Sequence, residues 1–387
     1  MKSTNYDFFG TLTLEIRGEG GRSVDQMRQM YDHFRVPSVD DPDLVVEMTR
    51  DEPDPDRVLG LPDDHYGRDG REFVIQQPSS FLRLDVDSGH LKLSPTWMPF
   101  WAVYIVEFAI RKRLAADDRV LVHASGVELD GETTLFPAWR GAGKTNTLLS
   151  HLRAGGNYLS DDRLWVGADR SVQGYPTSIN IGPHNLDSFP DIEIDLDKDL
   201  SDRVVELVEG VLNEDGTIFE KGIVLLTQYY FKEHGARNFV SPGELVPSSS
   251  YTDTSEVDNV VVLDAAPEHD RVEVEPISVA EAVTETTTIS LFEWNSRLRE
   301  YFTALDSLFP DQQWSDDLEA VIADERRVFE ELYADVGTYR AKIPREREWS
   351  RKGIDRQVVD AVRQLTEGTD DEQSTSADLS PDGLQTN

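Results

Sequence analysis

Apolar and polar residues alternate through FFGTLTLEI (8–16), DLVVEM (43–48) and EFVIQQ (72–77), which predicts strands. FLRLDVDSGHLKLS (81–94) alternates on both sides of a turn and predicts a hairpin. Between these runs, DEPDPDRVLGLPDDHYGRDGRE (51–72) is dense in Pro, Gly and Asp and predicts a loop. Residues 1–95 therefore form one β-rich region. WMPFWAVYIVEFAI (97–110) is apolar on every side, too short to span a bilayer, and broken by Glu107, so the expected element is a buried helix over 98–114.

The pattern then changes to strands alternating with helices. VLVHASGVEL (120–129) predicts a strand, Asp130-Gly131 a two-residue hairpin turn, and TTLFPA (133–138) the returning strand. TNTLLSHLRA (145–154) sets Leu148, Leu149 and Leu152 on one helical face, Gly155-Gly156 ends that helix, and NYLSDDRLWVG (157–167) begins a new strand. VDNVVVLD (257–264) and RVEVEPIS (271–278) predict strands, with a helix near VAEAVTETTT (279–288). Residues 96–290 thus form an α/β core. From 291 to 365 apolar residues recur at three- and four-residue spacing, predicting a helical cap or subdomain, and 366–387 is too polar to fold.

Charge narrows the class of function. The 387 residues carry 38 basic and 74 acidic side chains, a net charge of −36, with 29 arginines and only 9 lysines. Such a surface repels nucleic acid and anionic membranes, and acid spread along the whole chain fits a high-salt interior where screening shortens self-repulsion. No cysteine is present, which excludes disulfides, thiolate metal sites and cysteine nucleophiles. MKSTNYDFFG shows no basic stretch followed by an apolar run, so a cytoplasmic protein is expected.

The chemistry gathers around PAWRGAGKT (137–145). A G-x-x-x-x-G-K-[ST] loop holds phosphates because its backbone amides converge on them, its lysine neutralises them, and its hydroxyl binds Mg²⁺. Gly141, Gly143, Lys144 and Thr145 satisfy this form, while Ala138 replaces the first glycine; Trp139, Arg140 and Ala142 complete the loop. The following helix adds its positive amino-terminal end. Ser160-Asp161-Asp162-Arg163 lies on the next strand, where one carboxylate suits a general base and the other a metal. His123 stands on the strand leading to the loop. Arg140, Arg163, Lys232 and Arg237 are candidate cations for transition-state charge, and Trp139 for base stacking or phosphate shielding.

The stretch HASGVELDGETTLFPAWRGAGKTNTLLSHLRAGGNYLSDDRLWV resembles the catalytic core of the HPr serine kinase/phosphorylase superfamily, in its "HAS-V" strand, phosphate loop and "-L-SDD" strand. It covers residues 119–170 strongly and 171–290, including GYPTSINI (174–181), weakly. The resemblance implies an ATP-dependent kinase fold, related to ATP-using phosphoenolpyruvate carboxykinases, and a homo-oligomer. It implies that Lys144 binds the β- and γ-phosphates, Thr145 and Asp162 hold Mg²⁺, Asp161 is the base, and His123 sits by the transferred phosphoryl group. Tyr175 is implied at the rim of the acceptor site. Asn146 departs from the family, which carries an acidic residue there, and the signature for the reverse phosphorolytic reaction is absent. The expected function is transfer of the ATP γ-phosphate to a serine or small-molecule hydroxyl, with a nucleotide-binding regulator or scaffold as the alternative.

Overall fold

The computed structural model describes residues 2–61, 64–97, 99–194 and 238–376. The chain is a mixed α/β protein with two large mixed sheets. The first contains β1 (Ser3–Phe8), β2 (Leu12–Arg17), β3 (Arg35–Val36), β4 (Leu44–Met48), β5 (Arg57–Leu61), β6 (Asp64–Asp69), β7 (Glu72–Gln77), β8 (Ser80–Asp85) and β9 (Leu91–Leu93). Their spatial order is β3-β1-β2-β4-β9-β8-β7-β6-β5. The helix α1 (Arg22–Met30) links β2 to this sheet's parallel pair with β4, and α2 (Pro99–Ala115) leads out of it.

Two expectations fail in this region. FFGTLTLEI is not one strand, because Phe9 and Gly10 take φ of 53° and 71° and turn the chain between β1 and β2. The loop predicted at 51–72 contains the β5–β6 hairpin. Backbone pairing holds that hairpin while β5 buries little, with Val58 50% and Leu61 69% exposed, so no apolar alternation marked it. As expected, α2 is buried around its girth: Val103, Ile105, Val106, Phe108, Ile110 and Leu114 all lie in the core.

The second sheet contains β10 (Arg119–Val122), β11 (Ala124–Leu129), β12 (Glu132–Pro137), β13 (Asn157–Ser160), β14 (Leu164–Gly167) and β15 (Ser171–Gln173). A small separate pair, β16 (Ile179–Ile181) and β17 (Asn238–Val240), precedes its later strands β18 (Thr254–Ala265), β19 (Glu273–Pro276) and β20 (Gly337–Ile343). The order is β10-β14-β15-β18-β12-β11-β13, and β20 pairs with both β18 and β19. β18 is the axis, parallel to β12 on one edge and to β20 on the other. The β11–β12 hairpin turns through Asp130 and Gly131 at φ of 56° and 88°, as their sequence predicted.

The helices of this half are α3 (Lys144–Arg153), α4 (Pro183–Ser188), α5 (Val279–Ser290), α6 (Ser296–Leu308), α7 (Trp314–Ala334) and α8 (Ile354–Ser376). On one face Leu148, Leu149 and Leu152 of α3 share a core with Val358, Val359 and Val362 of α8. On the other, Ala282 and Val283 of α5 pack with Val328, Phe329 and Leu332 of α7. The amino-terminal part of α7, through Leu318 and Val321, belongs instead to the core of the first sheet. The expected helical cap at 291–365 is therefore corrected: its helices join the two cores, and β20 is an integral strand of the second sheet. GTYRAKI shows a strand's alternation, with Arg340 and Lys342 pairing with carboxylates between its apolar residues, but it lies within a stretch dominated by helical spacing. The polar tail expected from 366 continues α8 to Ser376, since a packed helix extends at one backbone bond per residue; 377–387 lie outside the described residues. Among the described residues no helix is long and apolar enough to cross a membrane.

Candidate active site

The loop at 138–143 joins the end of β12 to α3. Ala138 is buried and continues the strand, bridging Leu263 of β18 in parallel, so this position has no need of glycine. The left-handed turns come later, at Gly141 and Gly143, with φ of 85° and 97°. The Ala142 amide donates to the Trp139 carbonyl at 3.0 Å, which tightens the loop. Gly143 precedes the first turn of α3, and no side chain caps that helix end. A Cβ on Gly143 would lie 2.9 Å from the Trp349 ring and 3.9 Å from Ile343, so this glycine is also required by close packing.

Lys144 and Thr145 open α3 and face the break between β13 and β14. Lys144 Nζ donates to Asp162 Oδ1 at 2.7 Å and to His123 Nε2 at 2.9 Å. Thr145 Oγ1 lies 3.4 Å from Asp161 Oδ2. VLVHASGVEL is two strands, not one, and the break falls at His123: β10 pairs with β14, and β11 with β12 and β13. The break in NYLSDDRLWVG falls likewise at Asp161-Asp162. The two interruptions release His123 and both aspartates from the sheet where they meet Lys144.

The two carboxylates differ in electrostatics. Asp161 is 6% exposed, its Oδ1 has no hydrogen-bond partner, and burial pushes its pKa up to about 6 against the pull of Lys144. Burial also pushes Asp162 upward, but Lys144 and the other cations around it prevail and hold it well below the usual carboxylate range. Arg163 contacts Asp162 and lies 2.5 Å from Glu107 of α2, tying the site to the first sheet's core helix. His123 is pushed down to about 3, chiefly by burial and then by Lys144, so it is neutral and accepts from the lysine. Its Nδ1 lies 3.5 Å from Asp162 Oδ1, which assigns the ring proton to Nδ1.

These groups sit in a cavity of about 1120 Å³ between the loop, α2, α4 and the end of β20. Trp139 is half-buried with its ring 5.1 Å from Phe292, on the π-helical turn Leu291–Asn295, and Arg140 is exposed at the cavity wall. Tyr175 is not at a rim: it is fully buried, 4.7 Å from Phe34 in the first sheet's core. Lys232 and Arg237 lie outside the described residues. Asn146 is held in packing: its Nδ2 donates to Ser188 Oγ at 2.9 Å and its Oδ1 accepts from Asn185 Nδ2 at 2.8 Å.

Among the charged residues that line the same cavity, the sequence named Glu107 only as a break in an apolar helix and gave no part to Glu293, Arg345 or Arg347. Glu107 had a visible signal, a lone charge inside an apolar helix, and KIPREREW had another in its alternating charges. Glu293 had none, being one acid among 74.

No protein-family model matches the chain, and no curated protein matches it. Likeness to the HPr kinases therefore stands on the residues themselves. Among the described residues no group of three or more His, Asp or Glu forms a metal cage. The hard oxygens of Thr145, Asp161 and Asp162 nevertheless fit Mg²⁺, which keeps its waters and takes one or two carboxylates beside phosphate oxygens. The Thr145 hydroxyl faces Asp161, and Asp162, the carboxylate expected at the metal, is engaged by Lys144 and Arg163.

Proposed function

We propose that this protein is a Mg-ATP-dependent phosphotransferase with a phosphate-loop core like that of the HPr kinases. The observation that carries this reading is the meeting of Lys144, at an uncapped helix start, with two carboxylates of opposite titration in one large cavity. Amides of the loop and the first turn of α3 would bind the terminal phosphates, with Lys144 neutralising them. Thr145 and Asp162 would hold Mg²⁺, which when bound draws charge from the transferring phosphoryl group. Asp161 is the base: its raised basicity suits taking the acceptor's hydroxyl proton near neutral pH, and its Oδ1 is the free oxygen. Neutral His123 orients Lys144 and carries no charge to the phosphate.

Transfer of label from γ-labelled ATP to a pool of hydroxyl acceptors tests the reading. Asp161→Asn is expected to abolish transfer and leave ATP binding intact. Lys144→Ala is expected to remove the thermal stabilisation by ATP, which at a hundredfold excess over Kd amounts to about 2.7 kcal/mol in the parent protein. Absence of any ATP-induced shift in the parent would remove the reading. Tight binding without transfer would favour a nucleotide-binding regulator, a role suited to a lysine already tied to Asp162 and His123.

A further inference from the structure

Beyond the nucleotide, the cavity has a second charged wall. After β20 the chain crosses residues 344–348 and enters the helical turn Trp349–Lys352. Both ends of this crossing touch the phosphate loop, since Ile343 and Trp349 lie against Gly143. Arg345 and Arg347 are exposed, line the cavity, and make no ion pair with a described residue. Glu346, between them, lines the cavity too and lies 3.9 Å from Lys352, while Glu348 pairs with Arg351 at 3.0 Å.

Arg35, Arg50, Arg57 and Arg140 likewise show no ion pair with a described residue, but of these only Arg140 lines the cavity, in a chain with 74 acidic residues against 38 basic ones. Arg340, on the preceding strand, is surrounded by Asp264, Glu281 and Glu285. The crossing is also fixed in place. Ser188 Oγ donates to the Arg347 carbonyl at 2.7 Å and accepts from Asn146, so α3, α4 and the crossing are stitched together. Asn146, the departure from the HPr kinases, serves here as a tie.

We infer that residues 344–348 form an anion clamp that selects a negatively charged acceptor: a small molecule bearing a phosphate or carboxylate besides its reactive hydroxyl. The inference rests on the kinase reading and names its substrate class. Arginine suits the role because its planar fork binds oxyanions through two parallel hydrogen bonds. In a protein of charge −36, an anionic co-substrate needs such a local cation pair to overcome repulsion. The volume, about 1120 Å³, exceeds the roughly 300–1,000 Å³ of most single-ligand pockets and leaves room for two ligands.

The test is calorimetric titration of inorganic phosphate into protein saturated with Mg²⁺ and an imido-bridged, non-hydrolysable ATP analogue, at constant ionic strength. One phosphate per chain is expected to bind, and the double variant Arg345→Gln/Arg347→Gln to weaken it more than tenfold while analogue affinity changes less than twofold. Absence of phosphate binding, or binding undiminished in the variant, overturns the clamp. Analogue affinity falling in parallel with phosphate overturns it too, assigning the arginines to the nucleotide's own phosphates. Phosphate bound through the arginines by a protein that ignores the analogue would leave the anion site standing and remove the kinase reading instead.

Discussion

The two sheets of this protein are built on different plans. The first takes its nine strands from residues 3–93, mostly as neighbouring hairpins, and its core is closed by aromatic packing such as Phe8 on Tyr31 and Phe34. The second draws β12, β18 and β20 from distant parts of the chain and lays them parallel. Its strands break at His123 and at Asp161-Asp162, and the buried polar groups collect at those breaks. Local pairing yields a scaffold; long-range pairing brings together side chains that no hairpin could join. The charges buried in the second half are costly; Asp162 is held by Lys144 and Arg163 of the same half, and α2 of the first adds Glu107 to Arg163 and Arg111 to Glu325.

The most damaging way to break this division of labour is to cut the tie between the halves. Arg111 of α2 and Glu325 of α7 form a buried ion pair, 2% and 3% exposed. Glu325→Ala would take the carboxylate from a buried guanidinium that keeps its bond to the Leu121 carbonyl, and a loss of about 3 kcal/mol in denaturant unfolding is expected. Next is Gly143→Ala, which combines a left-handed φ with a contact on Trp349; about 2–4 kcal/mol should be lost, along with nucleotide binding by calorimetry.

Asp161→Asn acts in the opposite direction. Because burial raises its pKa from the ordinary 3.8 to about 6, the folded state prefers the neutral acid. The stability this supplies is complete below about pH 4 and is lost as pH rises through 6. Above that, the variant is expected to exceed the parent in stability by up to roughly 3 kcal/mol, measured by urea unfolding at pH 8. The parent's kcat/KM should rise with pH through about 6 as the base ionises; a flat profile would count against Asp161 in that role.

Smaller effects belong to the scaffold. Gly10→Ala, in the β1–β2 turn with open space around it, should cost only about 1 kcal/mol by the same assay. Asp87→Asn, which removes a fully exposed partner of Arg71, should leave the melting temperature unchanged.

The scaffold and the site also differed in how much their residues disclosed. Alternation located β4, β7, β8 and β9, and all-round apolarity located α2, because side chains there face a core. The β5–β6 hairpin gave no such sign, because little of it beyond Leu59 and Tyr66 packs on the core. Phosphate-loop spacing marked Lys144 and Thr145, and adjacency marked Asp161 and Asp162. The resemblance implied base and metal roles for them, but their opposite titration was not legible, since it depends on which carboxylate the cations surround. Arg345 and Arg347 escaped notice for a similar reason. Helical spacing on both sides hid β20, so nothing placed the crossing at its end beside a phosphate loop from a distant part of the chain.

The contact of Gly143 with Ile343 and Trp349 has a consequence for biosynthesis. The glycine-rich loop leaves the ribosome early, yet the residues that wall it arrive more than half the chain's length later. A nascent chain ending before β20 carries the lysine, the hydroxyl and both aspartates, but not the surface that fixes the loop. The cavity is thereby completed only when translation is nearly finished, and a prematurely terminated product is left without that wall.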